Sequence, residues 1–436
     1  MLAWRSFWWG GGSIVRSRSG RTRLPAGLAR DQDTKRKHKP DYILVLVSLV
    51  LLLVGLVVIY SISPGLSANR GVPENYYVTK QLVAIGVGAV GFLIMSQVPL
   101  HFWRANRKVL MVGAAVATLI ALLTPISPDY PAHRWIRFAG LSFQSVELIK
   151  FAIIFALSAF LAQRLQRGEI GSMDRTVKPI GLVVLGIGFV VAGLQSDFGS
   201  VVVMISMIVA MCYVAGFPLQ RLLVGGVIVA LLGAFAISTM DYRRERLFSF
   251  LHPEESCQTA SGYQACQALI AVGSGGVIGK GLGQSVQAYG YLPEAANDSI
   301  FAIYAEKFGF VGSAVLIALF TVLFSRLKSI MERAPDQYSR LVVTGILAWL
   351  STQAMINIGA MIGLLPLKGI TLPFISYGGT SILFVAAAVG LAYNISRHTT
   401  YTVNTELDAV VEPPSDRPRG QSGLRGRIVS GGLRGR

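Results

Sequence analysis

The sequence predicts an all-α, polytopic membrane protein of about ten transmembrane helices with one large extracytoplasmic loop. Of its 436 residues 53% are hydrophobic and only 14% charged, with mean hydropathy +0.55. Soluble chains carry about a quarter charged residues, so lipid must solvate most of this surface. Ten segments approach the roughly 20 apolar residues that a helical span needs, and basic residues recur in every second loop between them.

The segments run over approximately 41–61, 81–98, 108–125, 146–164, 178–195, 199–216, 220–240, 299–325, 340–363 and 377–396. The fifth and sixth are separated only by Gln195–Ser200 and therefore form a hairpin. With a cytoplasmic N-terminus, the inner loops hold Arg104, Arg107 and Lys108, then Arg164, Arg167, Arg175 and Lys178, then Arg221, then Arg326, Lys328, Arg333 and Arg340. The even number of spans returns the C-terminal arginines to the same side, as the positive-inside rule requires.

The termini differ in composition. Residues 1–40 and 399–436 are expected to be disordered basic cytoplasmic tails around the transmembrane domain, 41–398. Much of the net charge of +18 sits in Arg16–Lys39 and Arg417–Arg436. Basic tails beside apolar spans suit anionic lipid headgroups and argue against nucleic acid as a partner. Met1–Gly12 holds no apolar stretch long enough for a signal sequence.

The large loop, 241–298, has apolar positions at Leu269, Ile270 and Val272 that predict partial helices along the membrane surface. Cys257 and Cys266 share it, and a disulfide and two free thiols stand as equal alternatives; Cys212, in an apolar run, reads as a small buried hydrophobe. No metal-ligand spacing of Cys and His occurs.

Charge on the extracytoplasmic side breaks the topological bias and asks for a reason. His133-Arg134-Trp135-Ile136-Arg137 precedes the fourth span, which opens with Gln144, Glu147 and Lys150. Glu147 and Lys150 share a helical face; ionisable pairs inside a span line a pathway or pin helices together. Asp197 sits in the hairpin turn, as an N-cap for the sixth span or as a polar contact to a site. Asp298 stands at the lip of the eighth span, where lost hydration raises a carboxylate's proton affinity and suits it to general-base work; capping that helix is the plain alternative. Helical spacing puts Glu306 on the same face two turns deeper.

Two glycine-bearing stretches follow. Gly273–Gly283 lacks the spacing of a nucleotide P-loop, and its glycines are expected to allow tight turns and close backbone approach to headgroups. Lys368-Gly369-Ile370-Thr371-Leu372-Pro373-Phe374-Ile375-Ser376-Tyr377-Gly378-Gly379-Thr380-Ser381 predicts a broken, re-entrant backbone, tolerated at membrane depth only inside protein or beside a wet cavity. Amides at the start of the tenth span could bind an anion there.

These motifs together resemble the SEDS family (shape, elongation, division and sporulation proteins) over roughly residues 41–398. Arg134-Trp135-Ile136 and Gln144-Ser145-Val146-Glu147-Leu148-Ile149-Lys150 are similar to the family's Arg-Trp-Ile and Gln-Pro-Ser-Glu-Leu-x-Lys, with the Pro-Ser step lost. Gln195–Ser200 looks like Gln-x-Asp-Leu-Gly-Thr. Gly262-Tyr263-Gln264, Gly273–Gly276 and Tyr291–Glu294 match the large loop, and Asp298 is kept while its neighbours differ from the usual His-Thr-Asp-Phe. Pro373–Ser381 is close to identical to the family signature. Lys368–Pro373 and Tyr291–Ala295 resemble the division branch rather than the elongation branch.

The resemblance implies a peptidoglycan glycosyltransferase that polymerises lipid II into β-1,4 glycan at the outer face of the cytoplasmic membrane, at the division septum, releasing undecaprenyl pyrophosphate. It implies Asp298 as the catalytic residue. Substrate and pyrophosphate would be held by Arg134, Arg137, Gln144, Glu147, Lys150, Lys368, Ser376, Gly378 and Gly379, with Asp197 and Glu306 in support. A divalent cation, Mg or Mn, could share the charge, although no carboxylate cluster marks its site. The implied partners are lipid II, the undecaprenyl-linked glycan, a class B penicillin-binding protein (a transpeptidase) and other division proteins. A lipid II flippase, an elongation-branch enzyme and a non-catalytic scaffold are the competing readings.

Overall fold

The computed structural model describes residues 40–125, 133–138, 141–238, 241–252, 257–258 and 260–398. The two predicted tails lie outside the described residues, Pro40 excepted. The helices are α1 (Tyr42–Arg70), α2 (Tyr76–Gln97), α3 (Leu100–Ala105), α4 (Arg107–Leu123), α5 (Ser145–Gln166), α6 (Lys178–Ile187), α7 (Phe198–Val214), α8 (Leu219–Ser238), α9 (Asp241–Leu251), α10 (Ala260–Ser274), α11 (Ile300–Glu332), α12 (Gln337–Met361) and α13 (Gly379–Ser396). π-Helical turns at Met173–Val177 and Gly188–Leu194 extend α6 into one rod.

Every predicted span is helical. Lipid offers the backbone no hydrogen-bond partner, so an apolar run must satisfy its own amides. Among the described residues seven helices are long and apolar enough to cross a membrane: α1, α2, α5, the rod Met173–Leu194, α11, α12 and α13. Phe198–Val214 and Leu219–Phe235 are shorter apolar helices, and α4 has 17 residues. α5, α12 and α13 form the centre, with Phe155 and Trp349 fully enclosed. α4, the α6 rod and α8 lie outside, turning Val109, Leu182, Phe189 and Leu231 away from the protein, as lipid-facing helices do.

The basic loops are drawn together at one end. Arg326 donates to Asp41 at 2.6 Å, and Asp41 also caps α1 by accepting from the Leu44 amide at 3.0 Å. Arg397 donates to the Ser96 carbonyl, Arg104 lies over the Tyr338 ring, and Arg221 reaches the Gly171 carbonyl.

Three features go beyond or against the sequence reading. Trp135–Phe138 (β1) pairs antiparallel with Leu141–Gln144 (β2), Trp135 opposite Gln144, so the loop before α5 is a small hairpin within an otherwise helical fold. Cys257 and Cys266 form a disulfide, while Cys212 is free and buried. The glycine-rich stretch packs on α11 through Gly275 and Gly279. A Cβ on Gly279 would collide with the Lys307 carbonyl. α11 is broken at Gly309 (φ 65°, ψ −163°). The carbonyls of Gly276 and Val277 accept from the amides of Phe310 and Val311 at 2.9 and 3.0 Å, which repairs the ladder the kink interrupts. The long connection is partly helical, as expected, through α9, α10 and a 3-10 turn at Gln287–Tyr289.

Candidate active site

Asp298 lies two residues before α11 and is not its cap, a position held by Ser299. Its turn is fastened from three sides. Gln264 of α10 donates to Ser299 Oγ at 3.0 Å, and Ser299 donates to the Pro293 carbonyl at 2.9 Å. Ser376 Oγ donates to the Asn297 carbonyl at 2.7 Å, and the Tyr377 amide to that of Ala296 at 2.8 Å. Asn357 of α12 donates to the carbonyl of Asp298 itself at 2.7 Å.

The segment between α12 and α13 is irregular and buried, with Ile370, Leu372, Phe374 and Ile375 inside the bundle, as the predicted broken backbone requires. Its first part forms a wall facing Asp298. Asp298, Gln264, Asn357, Lys368, Gly369 and Ile370 line a small, open cleft with an apolar remainder. Gly369 is left-handed, φ 63°, and its missing side chain is what opens the space. A Cβ there would lie 3.3 Å from Asp298 Oδ2 and 3.9 Å from Arg134 Nη2. The carboxylate and the guanidinium therefore converge on one bare α-carbon, with Lys368 on the adjoining wall.

Arg134 is held by Asp197, Nη1 to Oδ2 3.3 Å. Asp197 also caps α7, accepting from the Ser200 amide at 3.0 Å and hydroxyl at 2.9 Å. Asp197 is thus the cap of α7 and at the same time the ion-pair partner of Arg134. The α7 terminus presses on the opposite wall from behind: a Cβ on Gly199 would stand 2.9 Å from the Lys368 carbonyl.

Other expected site residues are placed elsewhere. Lys150 is buried, 2% exposed; it donates to Glu147 at 2.7 Å and to Gln353 Oε1 at 3.0 Å and sits 4.8 Å from the Trp349 ring centre. An ammonium group has three protons to give, and these neighbours occupy it beneath the cleft. The Glu147–Lys150 pair pins α5 to α12, the structural alternative, rather than lining the cleft. Glu306, 0% exposed, accepts from Lys280, Ser285 Oγ and the Val286 and Gln287 amides, anchoring the glycine-rich loop away from Asp298. Arg137 donates to the Pro125 carbonyl. Gln144 ends β2, its amide donating to Thr380 Oγ1 at 3.3 Å. Gly378 caps and Gly379 begins α13, and Ser376 locks the Asp298 turn.

Among the described residues no three His, Cys, Asp or Glu side chains gather as a metal would need. The polar neighbours of Asp298 among the described residues are the amides of Gln264 and Asn357 and the cations Lys368 and Arg134, a donor set that does not fit a divalent ion. Gln353 and Asn357 escaped the sequence reading, and Gln264 entered it only within a family motif. Gln353 and Asn357 did carry a signal, since amides four apart in an apolar helix share a face and need partners.

Residues 41–401 match the cell cycle protein family of FtsW, RodA and SpoVE. The chain is 36% identical over 369 residues to stage V sporulation protein E of Bacillus subtilis strain 168, covering 84% of this chain and 100% of that one. It is 37% identical over 364 residues to a probable peptidoglycan glycosyltransferase FtsW of Saccharophagus degradans, covering 82% and 92%. A solved chain from work on the structural coordination of polymerization and crosslinking by a peptidoglycan synthase complex overlays with TM-score 0.68 at 25% identity, covering 82% and 98%. The rod shape determining protein RodA of Thermus thermophilus overlays with TM-score 0.61 at 24% identity, covering 83% and 98%, and shares the fold. Matched along the whole transmembrane domain in sequence and in shape, the protein belongs to the FtsW, RodA and SpoVE family of cell cycle proteins.

Proposed function

We propose that this membrane glycosyltransferase polymerises lipid II at the outer face of the cytoplasmic membrane, with Asp298 as general base and undecaprenyl pyrophosphate as leaving group. One observation carries the reading: the Asp298 carboxylate and the Arg134 guanidinium meet over Gly369, beside Lys368. Asp298 takes the proton of the acceptor's sugar hydroxyl as its oxygen bonds to the anomeric carbon of the growing chain. The bond from that carbon to the diphosphate oxygen breaks, and its electron pair leaves with the diphosphate. Arg134 and Lys368 are the cations that stabilise this charge. Displacement at an α-linked donor inverts it to a β-linked glycan.

Lys150, buried under the cleft, supports the wall through Gln353 rather than meeting the diphosphate. The basic loops gathered at one end support a cytoplasmic location for both termini. The naming of relatives as FtsW supports a role in septal wall synthesis, and the synthase complex among similar folds supports a transpeptidase partner, a class B penicillin-binding protein. The test is polymerisation of purified lipid II in detergent, with and without that partner and with metal chelated. Polymer formed there is transfer and not transport, since no bilayer separates two sides. Asp298→Ala is expected to abolish it, and undiminished polymer removes Asp298 from the mechanism.

A further inference from the structure

α12 is largely apolar, yet Asn357 on it is 2% exposed and its Nδ2 donates twice: to the carbonyl of Asp298 at 2.7 Å and to that of Ile370 at 2.6 Å. Both partners only accept, so the amide must present its nitrogen, and both N–H bonds are used. The two carbonyls belong to opposite walls of the cleft. One is that of the acid; the other lies one residue beyond Gly369 and two beyond Lys368. Ser376 and Tyr377 fasten the far end of the second wall to Asn297 and Ala296, whereas Asn357 joins the two walls at the cleft. One turn away Gln353 donates to the Thr371 carbonyl at 3.0 Å, itself held by Trp349 Nε1 and Lys150. α12 thus grips consecutive residues of the wall, and through Asn357 the same helix also holds the backbone of the acid.

We infer that Asn357 is a positioning residue that sets the spacing between the Asp298 carboxylate and the cation-bearing wall at Lys368. The inference rests on the function proposed above. It acts through the backbones of those residues, so its loss displaces acid and cation relative to each other while leaving both present. Misplacement by about 1 Å costs on the order of 100-fold in rate.

The experiment is a double-mutant cycle on the full chain with its transpeptidase partner, read as kcat and KM for lipid II. Asn357→Ala is expected to lower kcat by about 10- to 100-fold with KM changed less than about threefold. Asn357→Ser, which keeps one donor, should lose less. Asn357→Asp, equal in shape but turning an oxygen on two carbonyls, should lose more. In a Lys368→Ala background Asn357→Ala should cost no more than about threefold, because the pair to be aligned is already broken. Losses that simply multiply, or wild-type kcat in Asn357→Ala, overturn the inference; if the alanine variant does not accumulate, the serine variant carries the same cycle. Asp298→Ala is assayed beside them. If it is inactive while the other losses multiply, the positioning role alone falls; if it is fully active, the catalytic reading falls and this one with it.

Discussion

Nη1 of Arg134 lies 3.3 Å from Oδ2 of Asp197, and the same carboxylate caps α7 at Ser200. One acid therefore fixes both a helix terminus and a cation beside Gly369, and the two duties are separable. Asp197→Asn keeps a capping acceptor and loses the charge. Thermal unfolding in detergent should change little, since Asn and Asp cap equally well, while polymer formation falls about tenfold as a charge-assisted contact is lost. Asp197→Ala should lose about 1 kcal/mol of stability in addition.

Glu147 and Lys150 are 3% and 2% exposed and pair at 2.7 Å. Removing one partner strands a charge in a low-dielectric interior, at a cost of about 3–5 kcal/mol. Lys150→Met and Glu147→Gln should each lower the melting temperature sharply. The double variant should recover much of the loss, and the melting temperatures of the three proteins check it.

The Cys257–Cys266 bridge closes a loop with a sequence separation of 9 at the start of α10, two residues beyond Gln264. Its loss should destabilise the protein by about 2–3 kcal/mol on a loop-entropy account. Denatured protein should offer one alkylatable thiol before reduction, that of Cys212, and all three cysteines after it. Cys266→Ser should melt earlier than the parent, and a reductant should erase that difference.

Hydrogen bonds from Arg175 and then Arg164 hold the Glu169 carboxyl below its ordinary value of 4.5, in the connection between α5 and the α6 rod. A depressed carboxyl pKa contributes stability above its unfolded value and loses it as pH falls through the folded one. Glu169→Gln should therefore be slightly less stable than the parent at neutral pH, with the gap closing below pH 4.5. Added salt should shrink it at neutral pH, because the partner Arg175 is exposed. Unfolding curves across pH measure it.

The spans were legible because an apolar run in lipid has one way to satisfy its backbone. The irregular wall was legible too, since Pro373 and the Gly378–Gly379 pair, set close together, disfavour a continuous helix. The hairpin at Trp135–Gln144 was not: four-residue strands carry too few alternations to register as a period. Glu306 misled for a definite reason. Helical spacing links it to Asp298 only if both are helical, and α11 begins at Ile300, so the acid turns elsewhere. For Lys150 the spacing revealed Glu147 as a partner but not Gln353 or Trp349, which arrive from a helix 200 residues on. Asn357 carries no charge, and a search led by charges passes over an amide whose work is done on backbone carbonyls.

Asp298 precedes Asn357 by 59 residues, and Lys368 comes later still, just ahead of α13. A ribosome making this chain delivers the acid first and its opposite wall only as the last helices enter the bilayer. A nascent protein paused in between owns nearly every motif but no assembled cleft. Translation order thus leaves the two walls apart until the last helices are in place.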